Sequence, residues 1–241
     1  MNKRVKQSFI AGALTSSAGV FISKFLGLFY IVPFTAMATQ PNMHFYSAAY
    51  SLYDTMLMIC SAGIPFAVSA MVAKYVSRED YKTALLVRRL SMGLMLFSGF
   101  LMAMILVMFS GPFAQFSSSQ TATQQNIDTL QNVICYLSLS LVLVPFLSAY
   151  RGFYQGLKDF ISYGFSQTLE QLVRILMLLG LGAFCVYILK MDNIWAVRMA
   201  VFSTGLAALV TILYFVLHDR LGYTDIRQMA SVQESQAVDK K

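Results

Sequence analysis

Long apolar stretches alternate with short polar segments along the chain. Six of these stretches reach about 20 residues, the length that an α-helix needs to cross the hydrocarbon core of a bilayer. The pattern predicts an all-α membrane bundle of about six transmembrane helices over residues 1–217, followed by a polar tail over residues 218–241. The predicted spans are 9–37, 45–72, 90–109, 130–149, 165–189 and 194–217.

The composition agrees with a protein that lipid solvates. Apolar residues make up 57% of the chain and charged residues 12%, whereas about a quarter of the residues in a soluble domain are charged. The net charge of +7 comes mostly from loops between apolar stretches, so we interpret it as membrane topology and expect no nucleic-acid partner. The first apolar stretch is too long for a cleaved signal peptide, which favours a retained helix.

The distribution of lysine and arginine predicts the orientation of the bundle. These residues are concentrated in the N-terminal leader, in the loops after the second and fourth spans, and in the tail, and they are scarce in the alternate loops. Because basic loops stay in the cytoplasm, both termini are expected there.

Lys24 is the most unusual residue of the first predicted span. It lies roughly 22 Å along the helix axis, which is too deep for its ammonium group to reach the surface easily. Such a cation faces either an anionic substrate group, such as a phosphate, or an acidic partner inside the bundle, for which Asp54 and Glu170 are candidates. Gly19 and Gly27 thin the helix on either side of it.

The second predicted span contains an acid and a helix break. Asp54 lies roughly 13 Å from the outer end, where it can pair with Lys24, couple transport to a cation or proton, or be satisfied by neighbouring hydroxyl groups. Gly63 and Pro65 follow, and proline removes one backbone hydrogen bond from a helix. A break of this kind either lines a transport site or is a passive kink.

The fifth predicted span has a polar face. Glu170 and Arg174 are four residues apart, so they can form an ion pair along one side of the helix, and Gln167 and Gln171 widen that side. An ion pair in this position indicates which face points away from lipid.

The segment 151–158 is predicted to join the fourth and fifth spans on the cytoplasmic side. It contains two cations, Arg151 and Lys158, and two glycines. These residues form either a contact with lipid head groups or a tight turn with basic anchors.

No pattern typical of catalysis is present in the sequence. The three cysteines lie in apolar runs outside C-x-x-C pairs, and there is no HExxH sequence or phosphate-binding loop. We therefore predict no enzyme, no metal site and no cofactor.

Three blocks of sequence resemble a known family of membrane transporters. Residues 22–30 read ISKFLGLFY and are similar to an S-[KR]-x-L-G signature. Residues 46–53 read YSAAYSLY, and residues 61–69 read SAGIPFAVS. The third block consists of RGFYQG at 151–156 and SQTLEQLVR at 166–174. In this order they resemble the polysaccharide-biosynthesis transporters, which include the MurJ-type lipid II flippases and SpoVB-like proteins, in the superfamily of the MATE drug exporters.

This resemblance implies a fold and a function. The family fold has two six-helix lobes around a V-shaped cavity, in the bacterial cytoplasmic membrane. Its function is to flip an undecaprenyl-diphosphate-linked sugar by alternating access. The resemblance implies that Lys24 is a cavity cation for the diphosphate and that Glu170 and Arg174 belong to a family motif without an assigned role.

The chain departs from the family pattern in two respects. It reads YIVP at residues 30–33, where Gram-positive relatives often have Tyr-Arg-Ile-Pro, so one cation is missing. The resemblance also covers only the first lobe. We therefore expect a fragment, a truncated gene product, or a half that pairs with a second lobe or another membrane subunit.

Two alternatives to a flippase lobe remain open at this point. A MATE-like exporter of cationic drugs would favour an acidic cavity, whereas here Lys24 and Arg174 oppose Asp54 and Glu170. A membrane scaffold without transport activity, or an inactive remnant, would explain a single lobe.

Overall fold

The computed structural model describes residues 9–61, 63–117, 123–220 and 226–238, and within them the chain is helical. A short π-helical turn, Phe184–Ile188, extends the eighth helix. The α-helices are α1 (Phe9–Phe29), α2 (Ile31–Ala38), α3 (Gln40–Ser61), α4 (Ile64–Ser77), α5 (Tyr81–Met108), α6 (Ser110–Ser117), α7 (Gln124–Gly156), α8 (Phe160–Ala183), α9 (Ile194–Arg220) and α10 (Ile226–Val238).

Six helical stretches in the described parts of the chain are long and apolar enough to cross a membrane, which confirms the predicted all-α membrane bundle. They are Ser17–Ala38, Gln40–Ser77, Tyr81–Met108, Gln124–Gly156, Phe160–Ile188 and Ile194–Arg220. The first two stretches each combine two helices, α1 with α2 and α3 with α4.

Proline and glycine account for both interruptions. Pro33 has no N–H to donate to the carbonyl of Phe29, and the helix is interrupted at Tyr30. Between α3 and α4, Gly63 has a φ of 73°, a left-handed conformation that only glycine adopts easily, and Pro65 stands in the first turn of α4. The segment predicted to break therefore separates two helices.

The core surrounds α7 and α9, which are the most buried of the spanning helices. Two apolar clusters lie along them. One contains Phe34 of α2 and Leu137 of α7, and the other contains Phe153 of α7 and Phe215 of α9. The second cluster lies near the end of the bundle formed by the α4–α5 turn, the α7–α8 turn and the last residues of α9, which we call the basic end.

The segment 151–156 is helical, so its assignment to a turn between the fourth and fifth spans is wrong. Gly152 and Gly156 are one helical turn apart in α7, and α4 lies directly on them. A Cβ atom added at Gly152 would lie 2.7 Å from the carbonyl oxygen of Pro65, and one at Gly156 would lie 2.7 Å from that of Ser69. The two glycines allow helix backbones to touch, as small residues do between helices in membranes.

The turns at the basic end share one capping arrangement. The Asp80 carboxylate accepts a hydrogen bond from the backbone N–H of Thr83 at 3.1 Å, and Asp159 accepts one from Ser162 at 3.1 Å. These aspartates are the N-cap residues of α5 and α8. An N-cap carboxylate satisfies amide groups that have no partner in the first turn of a helix.

Candidate functional site

A polar cavity of about 370 Å³ lies between the first and fifth spanning stretches. Cations, a carboxylate and side-chain amides share its wall with apolar groups. Its lining consists of Val20, Ser23, Lys24, Gly27, Leu28, Tyr30, Gln167, Glu170, Gln171 and Arg174.

Glycines set the spacing of the two helices that form this cavity. A Cβ atom added at Gly19 of α1 would lie 2.8 Å from the Cα atom of Gly164 in α8, so the two backbones touch there. The Thr168 hydroxyl donates a hydrogen bond to the Gly19 carbonyl at 3.3 Å. A Cβ atom added at Gly27 would instead lie 3.2 Å from a side chain, at the amide nitrogen of Gln171. The backbones of α1 and α8 therefore touch at Gly19, whereas at Gly27 a polar side chain of the cavity lining lies between them.

Lys24 is exposed within this cavity. Among the residues that the structure describes, no carboxylate lies within 4.0 Å of its ammonium group, so it pairs with neither Asp54 nor Glu170. The interpretation of Lys24 as half of an internal ion pair is therefore wrong.

Glu170 pairs with a residue outside the cavity. Its carboxylate accepts a hydrogen bond from the Arg151 guanidinium at 2.6 Å, and Arg151 also donates to the hydroxyl and the carbonyl of Ser166, each at 3.1 Å. The predicted pair of Glu170 with Arg174, four residues further along α8, is absent from the described ion pairs. Arg151, predicted to contact lipid head groups, is instead held by α8.

Arg174 lies against an aromatic wall. Its guanidinium carbon is 5.5 Å from the centroid of the Tyr50 ring, and the Tyr46 ring lies tilted beside Tyr50 with 4.7 Å between ring centroids. The Tyr50 hydroxyl is fixed by a 2.6 Å hydrogen bond with Thr204. The Arg174 Nε is buried and has no hydrogen-bond partner among the described residues. The wall positions this cation without neutralising it.

The other predicted site residues are not part of the cavity lining. Asp54 is exposed on α3 and is not part of the lining. Gly63 and Pro65 form the α3–α4 break, and Lys158 lies in the α7–α8 turn with a φ of 60°. The structure thus brings together Lys24, Glu170 and Arg174, and sequence reasoning missed the role of Arg151 as the partner of Glu170.

A second charged cluster at the basic end is absent from the sequence predictions. Arg88 of α5 forms an ion pair with Asp219 of α9, and the Tyr154 hydroxyl donates to the other carboxylate oxygen of Asp219 at 2.6 Å. The Arg88 guanidinium also stacks near the rings of Tyr150 and Phe153. Arg88 could have indicated this cluster, but the predicted span 90–109 left it in a loop, whereas α5 begins at Tyr81.

The chemistry of the cavity favours an anion. Two cations, Lys24 and Arg174, line it, while the carboxylate of Glu170 is neutralised from behind by Arg151. In a medium of low polarity, such an excess of positive charge attracts anionic groups strongly. No group of three or more potential metal ligands occurs among the described residues.

The fold is similar to that of membrane transporters of known structure. A MATE transporter in complex with MaD5 matches with a TM-score of 0.71 at 15% identity, covering 94% of this chain and 48% of that one. A MOP superfamily transporter from Pyrococcus furiosus, described as having a binding pocket of reverse polarity, matches with a TM-score of 0.63 at 15% identity, covering 88% and 46%. The fold is therefore one lobe of a MATE-like transporter.

The family follows from the sequence. The model of the family described as "Polysaccharide biosynthesis protein" matches residues 9–233, and the chain belongs to this family. It is 31% identical to the lipid II flippase MurJ of Bacillus subtilis over 221 residues, which are 90% of this chain and 41% of that protein. It is 24% identical to stage V sporulation protein B of the same organism, covering 87% and 38%. The chain spans about two fifths of the length of these relatives.

Proposed function

We propose that this chain forms one lobe of a flippase that moves a lipid-linked saccharide, attached through a diphosphate, across the membrane. The observation that carries the proposal is the cavity charge. Lys24 and Arg174 are free of ion pairs with described residues, and Glu170, which shares the lining with them, is occupied by Arg151. The similarity to the lipid II flippase MurJ supports this substrate class.

The energetic argument concerns Lys24. A charge near the centre of a bilayer costs at least about 2.5–3.5 kcal/mol on insertion scales, and no described carboxylate within 4.0 Å offsets this cost. A diphosphate that enters the cavity supplies the missing anion and can accept hydrogen bonds from both cations. Charge-assisted hydrogen bonds of this kind are among the strong ones.

Alternating access needs a second wall for the cavity. The similar transporters are about twice as long as the matched region, so we propose that a second lobe or another membrane subunit covers the open side of α1 and α8. The break at Gly63 and Pro65 is proposed to let α3 move relative to α4. The basic end, with Lys158 near the lipid head groups, is proposed to face the bacterial cytoplasm, together with both termini.

A cation exporter is less well supported by this geometry. Such a protein needs an unpaired carboxylate in its cavity, whereas Glu170 is paired and Asp54 lies outside the lining. A scaffold without transport activity is the alternative that the following experiment tests.

The test is depletion of the protein in cells, with the accessibility of lipid II at the outer surface as the measurement. Depletion should lower accessibility, and expression of Lys24→Arg should restore it. Lys24→Ala should restore roughly a tenth or less, since it removes a charged hydrogen-bond donor. Lys74→Ala, an exposed lysine in α4, is the matched control and should restore it fully. Unchanged accessibility on depletion would rule out the lipid II assignment, and full activity of Lys24→Ala would remove Lys24 from the site.

A further inference from the structure

Arg151 lies behind the cavity wall and forms an ion pair with Glu170, a residue of the lining. It belongs to α7 and reaches across to α8, where it contacts two positions one helical turn apart, Ser166 and Glu170. Arg151 is not part of the cavity lining, whereas Glu170 is. The charge that faces the cavity is therefore set partly by a residue that does not line it.

The arrangement holds the Arg151 guanidinium in one position. The guanidinium donates three hydrogen bonds, two to Ser166 and one to Glu170. Ser166 is fully buried, and the side chains of Arg151 and Glu170 are only 15% and 17% exposed. Such a bond network costs little additional entropy to maintain and keeps the carboxylate of Glu170 directed toward α7.

Removal of Arg151 would leave Glu170 with a different partner. Arg174 lies four residues further along the same helix, the spacing at which side chains of opposite charge meet. Glu170 and Arg174 would then neutralise each other, and Lys24 would be the remaining cation of the lining. A dianionic ligand would lose one of its two cationic contacts.

We propose that Arg151 is a positioning residue that sequesters Glu170, keeps Arg174 available to an anionic ligand, and so gives the cavity its preference for a diphosphate. This inference rests on the proposed function. It assigns the residue in the Arg-Gly-Phe-Tyr-Gln-Gly motif a role in ligand selectivity that acts entirely through Glu170. Arg151 itself does not touch the ligand.

The experiment measures ligand binding by the full chain in phosphatidylcholine nanodiscs. The probes are farnesyl diphosphate and the neutral alcohol farnesol, which share a hydrocarbon tail and differ in charge. Arg151→Gln should weaken binding of farnesyl diphosphate about tenfold, the value of one charge-assisted contact, and leave farnesol unchanged. Arg89→Gln, the same change at an exposed position of α5, is the control and should alter neither.

The double variant separates this role from a purely structural one. Arg151→Gln combined with Glu170→Gln removes both charges, so Arg174 is free again and the affinity for farnesyl diphosphate should return to within about threefold of the original. A double variant as weak as Arg151→Gln alone would overturn the proposal, and so would an unchanged affinity in Arg151→Gln. Arg151→Lys, which retains the charge, should bind better than Arg151→Gln.

Two further comparisons make the outcome decisive. If Arg151→Gln does not fold, Glu170→Gln alone carries the test: Arg174 stays available without the carboxylate, so farnesyl diphosphate should bind at least as tightly as it binds the original chain, and weaker binding would overturn the inference. The proposed function fails separately. It fails if the original chain binds farnesyl diphosphate no better than farnesol, or if Lys24→Ala binds it equally well, whatever Arg151 does.

Discussion

The two charged clusters of this protein differ in how completely their members are satisfied. At the basic end, both carboxylate oxygens of Asp219 are engaged, one by Arg88 and one by Tyr154, and the side chains of the ion pair are 8% and 4% exposed. In the cavity, Lys24 has no described acidic partner and the Nε of Arg174 has no hydrogen bond. We call the cluster at the basic end closed, because both carboxylate oxygens of Asp219 have partners, and the cavity cluster open, because its cations have no acidic partner among the described residues.

The difference separates charges that hold helices together from charges that await a ligand. A buried ion pair with additional hydrogen bonds can lock helices in one arrangement, and the Arg88–Asp219 pair joins α5 to α9 while Tyr154 adds α7. A cation without an acidic partner in a polar cavity contributes no such link, which is consistent with the anion that we propose as its ligand. The comparison therefore indicates a stabilising role for the first cluster and supports the binding role that we propose for the second.

The largest effect on stability is expected at Asp219. The change Asp219→Ala leaves Arg88 buried without its carboxylate, which costs about 3–5 kcal/mol when one partner of a buried pair is removed. The measurement is the free energy of unfolding in detergent micelles. By contrast, Lys24→Ala in the same assay should leave the protein at least as stable as the original chain, because no described interaction is lost and a charge without an acidic partner is removed.

The control for this comparison is Asp192→Ala, which removes an exposed carboxylate and should behave like the original chain. An equal loss of stability in Lys24→Ala and Asp219→Ala would contradict the division into a closed and an open cluster.

Packing gives a second form of the same comparison. The change Gly152→Ala forces a methyl group against the Pro65 carbonyl oxygen at 2.7 Å, and overpacking of this kind costs about 1–3 kcal/mol. Gly93→Ala in α5 meets no atom within 4 Å and should be neutral or stabilising by up to about 1 kcal/mol. Thermal unfolding of both variants, side by side, checks the difference. A stable Gly152→Ala protein would show that α4 and α7 can separate without penalty.

Much of the fold follows from sequence because the membrane imposes simple rules. Apolar length predicts the spanning helices, and the proline and glycine positions explain the break between α3 and α4. The structure of the motif RGFYQG was harder to predict, because two glycines four residues apart occur both in turns and at contacts between helices. Only the position of α4 against Gly152 and Gly156 decides between them.

The site could be predicted only in part. Lys24 and Arg174 stand out because charges within apolar spans are costly. The sequence does not show which charged residues pair with each other, because ion pairing depends on tertiary contacts. Glu170 pairs with Arg151, 19 residues away, rather than with its neighbour on the same helix, and Arg88 pairs with Asp219 across 131 residues. No local pattern specifies either choice.

The smallest effect is expected at Asp80, a charge that belongs to neither cluster and caps α5 in the α4–α5 turn. Hydrogen bonds from the Thr83 hydroxyl and the Thr83 N–H hold the pKa of this carboxyl below its ordinary value of 3.8. A lowered pKa means that the carboxylate form stabilises the fold. This contribution is fully present above pH 3.8 and is lost as the pH falls through the lowered pKa.

Asp80→Ala should therefore lower the melting temperature slightly at pH 7, and the gap to the original chain should close as the pH falls below 3.8. Thr83→Val removes the hydroxyl and keeps the N–H, so it should reproduce part of the effect. A gap of constant size from pH 7 to pH 3 would show that the carboxylate charge does not act through the cap. Because Asp80 is only partly buried, its effect must remain far below that of Asp219, where the same chemical group is enclosed by three helices.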